Sequence, residues 1–183
     1  MSTATPTPGL TTWKIDPAHS HVEFAVKHLM ISTVKGRFGA VEGTVRTDES
    51  NPTKAEVDVT IDAGSIDTRE AQRDTHLKSA DFFDVEKFPT ITFRGNRVTG
   101  ATGDRFTLTG ALTIHGVTRD VTLDATSEGR GKDPWGGDRA GYSATTKVKR
   151  SEFGLVWNQV LEAGGIAVGD EIKISLDVEL VKQ

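Results

Sequence analysis

Apolar and polar residues alternate along most of this chain. Residues 21–27 (HVEFAVK) put Val22, Phe24 and Val26 on one face, and in residues 55–63 (AEVDVTIDA) every even-numbered position is polar. The pattern returns in residues 106–114, in residues 121–125 and throughout residues 171–180 (EIKISLDVEL). A period of two describes antiparallel strands that are dry on one face and wet on the other. A parallel α/β sheet would instead show continuous apolar runs separated by long helices. The chain is therefore expected to be all-β.

Turn chemistry punctuates these runs. Residues 48–54 (DESNPTK) and 98–104 (VTGATGD) read as hairpin loops, His115-Gly116 as a tight hairpin, and residues 129–141 (GRGKDPWGGDRAG) as a longer mobile loop. Gly36, Gly39 and Gly43 fall within one strand-like stretch and predict bending as the sheet curls. One region breaks the alternation. Residues 67–70 (DTRE) resemble a capping box, and residues 69–79 have helix-forming composition, so a short helix is expected near 69–79, covering an edge or a mouth. About eight strands result. A single antiparallel sheet of that size, dry on one face, must close on itself or fold into a sandwich. Long strands with glycine-assisted bends favour a closed extended β-barrel, wide enough inside for packed side chains or one small ligand.

Length, charge and composition narrow the function. At 183 residues the chain has room for one core. Residues 13–183 are assigned to it. Residues 1–12 carry no Lys, Arg or apolar stretch and read as a disordered leader rather than a signal peptide, which on this reading makes the protein cytoplasmic. No apolar run approaches the length of a transmembrane helix. The 22 basic and 26 acidic residues are interspersed, leaving no basic field for nucleic acid. The absence of cysteine removes thiol catalysis, disulfides, zinc–cysteine sites and iron–sulfur clusters. The chain also carries no nucleophile elbow, P-loop, dinucleotide fingerprint or H-E-x-x-H motif. Asp16, His19 and Ser20 fit a turn that satisfies its own backbone better than a catalytic triad. Neither an enzymatic activity nor a cofactor is expected.

Several strings occur together in order. They are DPAHS at 16–20, FAVKH at 24–28, VKGRF at 34–38, SIDT at 65–68, RDTHL at 73–77 and DFFD at 81–84. After these come FPTITF at 88–93, GALTIHGVT at 110–118, RSEFG at 150–154 and VGD at 168–170. The set runs from about Trp13 to Lys182 and resembles the YceI-like family of bacterial lipid-binding proteins. That resemblance implies a lipocalin-like barrel enclosing a polyisoprenoid, an isoprenoid quinone or a fatty-chain lipid, as a carrier or storage protein. Some members are dimers, so a homodimer is admitted here. Many are exported to the periplasm, and the chain departs from them in showing no signal peptide. Two other readings stay open: an enzyme acting on such a lipid through His28, Arg150 or Asp16, and a stress-related interaction module with a filled barrel.

The candidate site residues follow. Phe24, Val26, Phe38, Phe93 and Ile114 share the dry face and either pack as an ordinary core or line a hollow; the resemblance favours the hollow. Residues 155–166 (LVWNQVLEAGGI) are apolar without alternating. They form either a hairpin arm plugging one end or a mobile rim hinged at Gly164-Gly165. Phe153, Leu155, Trp157 and Val160 are expected to touch ligand there, with Phe83 of the Phe82-Phe83 turn on the opposite rim. His28 has the parity of Val22, Phe24 and Val26 and is expected to face inward, as a structural histidine or a handle for a ligand headgroup. Arg150 and Arg73 either pair with a carboxylate or hold an anionic head. His19 and His21 have metal-ligand spacing on a strand, but no third ligand is local, and no metal is expected.

Overall fold

The computed structural model describes residues 9–183, the side chain of Pro52 excepted. Strands β1 (Thr11–Ile15), β2 (His21–His28), β3 (Ser32–Phe38), β4 (Val41–Asp48), β5 (Asn51–Asp62) and β6 (Ile66–Asp67) precede α1 (Ala71–Lys78), the one α-helix among the described residues. Strands β7 (Thr90–Thr102), β8 (Arg105–Ile114), β9 (Val117–Lys132), β10 (Asp138–Lys149) and β11 (Val168–Lys182) follow it. The sheet runs β1-β4-β5-β7-β8-β9-β10-β11, and β1 pairs with β11 to close the ring. A 3-10 turn at Pro17–His19 splits one arm into β1 and β2, and the facing arm is split into β3 and β4. Counting each arm once, the barrel has eight antiparallel strands, as the alternation predicts. The β2–β3 hairpin continues along β11 beyond the closed ring.

Burial follows the alternation. In β8 Leu108, Gly110, Leu112 and Ile114 are buried in turn while their neighbours are half-buried. Two glycine positions set the space inside. Gly36 faces Phe24 across the β2–β3 ladder, and a Cβ there would collide with the Phe24 ring. Gly95 faces Gly110 across β7–β8, and the Phe93 ring occupies the room that side chains at that pair would take.

Four sequence expectations need correction. Strand β1 begins at Thr11, two residues inside the expected leader; residues 1–8 lie outside the described residues. The helix starts at Ala71, because Glu70 is its N-cap, accepting from the Gln72 and Arg73 amides at 3.2 and 2.6 Å. Asp67 instead accepts from the Arg69 amide. Residues 129–141 do not form a long loop. They continue the β9–β10 hairpin around a short turn in which the Asp133 carboxylate accepts from the Trp135 and Gly137 amides. His19 lies in the 3-10 turn rather than on a strand, so it shares no strand face with His21.

Two hairpins hold non-glycine residues in left-handed backbone. His115 (φ 54°) precedes Gly116, a residue suited to that region. At the β2–β3 turn, however, the two central residues are Leu29 (φ 53°) and Met30 (φ 59°). The connection holds three residues between the paired His28 and Ser32, and a β-turn with positive φ at both central residues favours Asn and Gly there. A Cβ in this region costs about 1–2 kcal/mol per residue.

Candidate functional site

The inward faces of the strands enclose a cavity of about 530 Å³, within the range of ligand-binding pockets. The bore is hollow, which counts against the filled-barrel reading. Its middle is walled by aliphatic and aromatic side chains, among them Val57, Val59, Phe93, Leu112, Leu123 and Ile174. The two ends differ. At the end formed by the β4–β5 and β7–β8 hairpins, exposed Glu49, Asp104, Arg105 and Arg130 line the cavity, so it reaches the surface there. Thr47, Ser127 and Tyr142 lie in the same mouth. At the other end the lining residues, including Leu77, Phe82, Phe83, Phe153 and Leu155, are buried or half-buried and form a lid.

The lid is an aromatic stack. Phe38 lies 5.7 Å from Phe24 and 5.8 Å from Phe83 between ring centroids, and Phe82 packs on both His76 and Trp157. Residues 155–168 run across it as a strap. Among the described residues, the strap is tied down chiefly by Arg150 and Asn158. The Arg150 guanidinium donates to the carbonyls of Leu155, Trp157, Val168 and Gly169 at 2.8–3.2 Å. The Asn158 side chain bridges to the Ala167 amide and to both the amide and carbonyl of Val168. The hairpin-arm reading of this segment thus fits better than a free rim.

Nine of the twelve expected site residues line the bore: Phe24, Val26, Phe38, Phe83, Phe93, Ile114, Arg150, Phe153 and Leu155. His28 does not. It sits at the exposed end of β2, where the hairpin has left the ring and parity no longer means inside. Trp157 is half-buried outside the bore, wedged between His76 and Phe82. Val160 is 81% exposed. Arg150 lines the cavity but spends its donors on the strap rather than on a carboxylate or an anionic head. Arg73 is likewise engaged, donating to the Thr68 hydroxyl and carbonyl.

The polar mouth was not anticipated. Thr47, Ser127 and Tyr142 carry the inward parity of Val45, Ala125 and Ala144, so extending the alternation to the strand ends would have found them. Arg130 crosses this mouth, pairing with Glu49 at 3.2 Å and lying over the Trp13 ring at 5.2 Å. Thr47 Oγ1 is the one buried side-chain oxygen or nitrogen among the described residues with no hydrogen-bond partner.

Near the mouth a charge cluster occupies the barrel surface. Arg139 donates to Asp16, Asp133 and Glu179 at 2.7–2.9 Å. Hydrogen bonds from His19 and then Arg139 lower the Asp16 carboxyl to about 2. Asp16, His19 and Glu179 bring three potential ligand atoms within 4.8 Å. Arg139 already satisfies both carboxylates, so the group is an ion-pair clamp.

Comparison with known proteins agrees with this architecture. The profile of the YceI-like domain matches residues 13–180. Protein YceI of Salmonella newport is 42% identical over 173 residues, spanning 93% of this chain and 87% of that protein. The structure of BcnA from Burkholderia cenocepacia is similar at a TM-score of 0.79 and 25% identity, over 90% of this chain and 98% of that one. A polyisoprenoid binding domain from Saccharophagus degradans, implicated in plant cell wall breakdown, shares the fold. Its TM-score is 0.65 at 14% identity, over 93% of this chain and 98% of that one.

Proposed function

The chain belongs to the YceI-like family, and on that premise we propose that it binds a long-chain amphiphile, acting as a carrier or store rather than as an enzyme. The tail lies in the bore and the head meets the polar groups of the mouth. The observation that carries this reading is the cavity of about 530 Å³, apolar along its middle and polar at the one end that reaches the surface. Each methylene moved from water into such a space contributes roughly 0.8 kcal/mol. A buried run of about ten therefore supplies on the order of 8 kcal/mol before ordering costs, the scale of micromolar binding. Length and dryness do the selecting, which suits a polyisoprenoid, an isoprenoid quinone or a fatty chain. The middle of the bore supports binding over catalysis: among the described residues its walls carry no carboxylate, amine or imidazole, the Thr146 hydroxyl donates to the Thr122 carbonyl, and the Arg150 guanidinium at the lid is engaged with backbone carbonyls.

Solvent extraction of the purified protein followed by mass spectrometry tests the proposal. It is expected to recover an amphiphile with a long hydrocarbon tail; an empty extract after expression in a lipid-replete host would overturn it. Phe93→Glu puts a carboxylate in the apolar wall. This variant is expected to lose the extractable lipid while keeping the β-signal in circular dichroism. Retention equal to wild type would show that the bore is not the binding site.

A further inference from the structure

We propose that the tip of the β2–β3 hairpin is a membrane-docking element that seats the lid end of the barrel on an anionic bilayer. Three consecutive apolar residues, Leu29, Met30 and Ile31, stand at this tip, Met30 59% and Ile31 82% exposed. Leu29 and Met30 are also the residues held at positive φ. The same two positions thus carry an unfavourable backbone and an unfavourable exposure to water, where Asn-Gly would relieve both. Transfer of these side chains into an apolar phase would offset the exposure.

The tip does not stand alone. The Leu29 amide donates to the Ala167 carbonyl at 2.8 Å, and His28 pairs with Val168, so the hairpin is laced to the strap over the lid. The strap presents exposed Val160 and Ile166, paired with each other in an isolated bridge. An apolar surface on two adjoining protrusions, at one pole of the molecule, marks an interaction site.

Charge selects the occupant. Residues 27–37 (KHLMISTVKGR) hold Lys27, Lys35 and Arg37 without a single carboxylate, in a chain whose net charge is −4. The strap adds one carboxylate, Glu162, Arg37 lies near Asp67, and Asp170 follows Gly169, which meets Lys27, where its carboxylate accepts from Ser151; Lys27 and Lys35 themselves form no ion pair among the described residues. Lys27 and Lys35 are exposed on the flanking strands. An apolar tip flanked by lysines suits a bilayer interface: the tip enters the acyl boundary and the ammonium groups meet anionic headgroups. The inference goes beyond the carrier reading and is tested separately from it.

Co-sedimentation of the full chain with vesicles measures the docking. The probes are phosphatidylcholine alone and phosphatidylcholine with a third phosphatidylglycerol. Wild type is expected to pellet with the anionic vesicles at low salt and to release as salt rises. The triple variant Leu29→Asn, Met30→Gly, Ile31→Ser gives the turn its preferred residues. It is expected to melt no lower than wild type, to keep its extractable lipid, and to lose binding at least tenfold. Lys27→Glu with Lys35→Glu is expected to abolish the preference for the anionic vesicles. Failure of wild type to pellet, or equal pelleting of wild type and triple variant, overturns the proposal. So does equal binding to neutral vesicles. A triple variant that turns a dimer into a monomer by light scattering without changing vesicle binding would make a second copy the occupant. Loss of extractable lipid with docking intact would bear on the carrier reading alone.

Discussion

At the lid end a buried guanidinium, Arg150, donates to four backbone carbonyls, whereas near the mouth an outer-wall guanidinium, Arg139, donates to three carboxylates. The first fastening joins a permanent cation to neutral dipoles. Burial pulls the Arg150 guanidinium down from its ordinary value, yet an arginine stays charged in proteins. The second fastening depends on ionised carboxylates. The lid is thereby held by bonds that do not titrate, and the mouth by bonds that do, with the middle of the bore left free of both. On the proposed function such a division gives the bore one end that stays shut and one that a ligand's head can meet.

Removing Arg150 should have the largest effect. Arg150→Ala strips the donor from four carbonyls, some of them buried, and each stranded group costs about 1–3 kcal/mol. A loss of at least ~3 kcal/mol in urea unfolding is expected. Arg150→Lys should recover only part of it, since one ammonium cannot reach all four acceptors. Little change in either variant would mean that the strap is held by its other contacts.

At the mouth the expected effect is smaller and depends on pH. Asp16 falls from its ordinary 3.8 to about 2 in the folded protein. A depressed carboxyl stabilises the fold fully above its unfolded value and loses that contribution as pH falls through its folded value. Asp16→Asn should therefore be less stable than wild type at pH 7. The gap should close between about pH 4 and pH 2, measured by urea unfolding at each pH. A gap independent of pH would remove the titratable character assigned to this end.

Thr47→Val sharpens the comparison with the smallest effect. The Thr47 hydroxyl is buried without a partner, so in delipidated protein the substitution should raise stability, by about 1 kcal/mol or less. A fall in melting temperature would show that the hydroxyl is engaged in the empty barrel.

The barrel was legible in the sequence because one rule, alternation, governs every strand in it. Parity puts Phe24, Phe38, Phe93 and Ile114 on the dry face, and the family resemblance favours a hollow there. That rule fails where a strand leaves the ring: His28 keeps the parity of Phe24 but stands at the end of a protruding hairpin. The strap follows no period at all, so neither the wedge position of Trp157 nor the exposure of Val160 could be read from it. Arg150 misled for a different reason. A lone arginine near an apolar segment suggests an anion, and only the folded strap shows that backbone carbonyls converge on it. Thr47, Ser127 and Tyr142 are readable by parity, since polar residues that continue a dry face mark a mouth.

Strand β11 carries the seam, pairing with β10 along one edge and with β1 and β2 along the other. As the chain leaves the ribosome, β1 and β2 emerge long before residues 168–182, and their outer edge waits for them. Pairings so distant in sequence form slowly. Until that last zipper is drawn up there is no enclosed interior, so on the proposed function a greasy passenger would be taken aboard by the finished vessel and not during its construction.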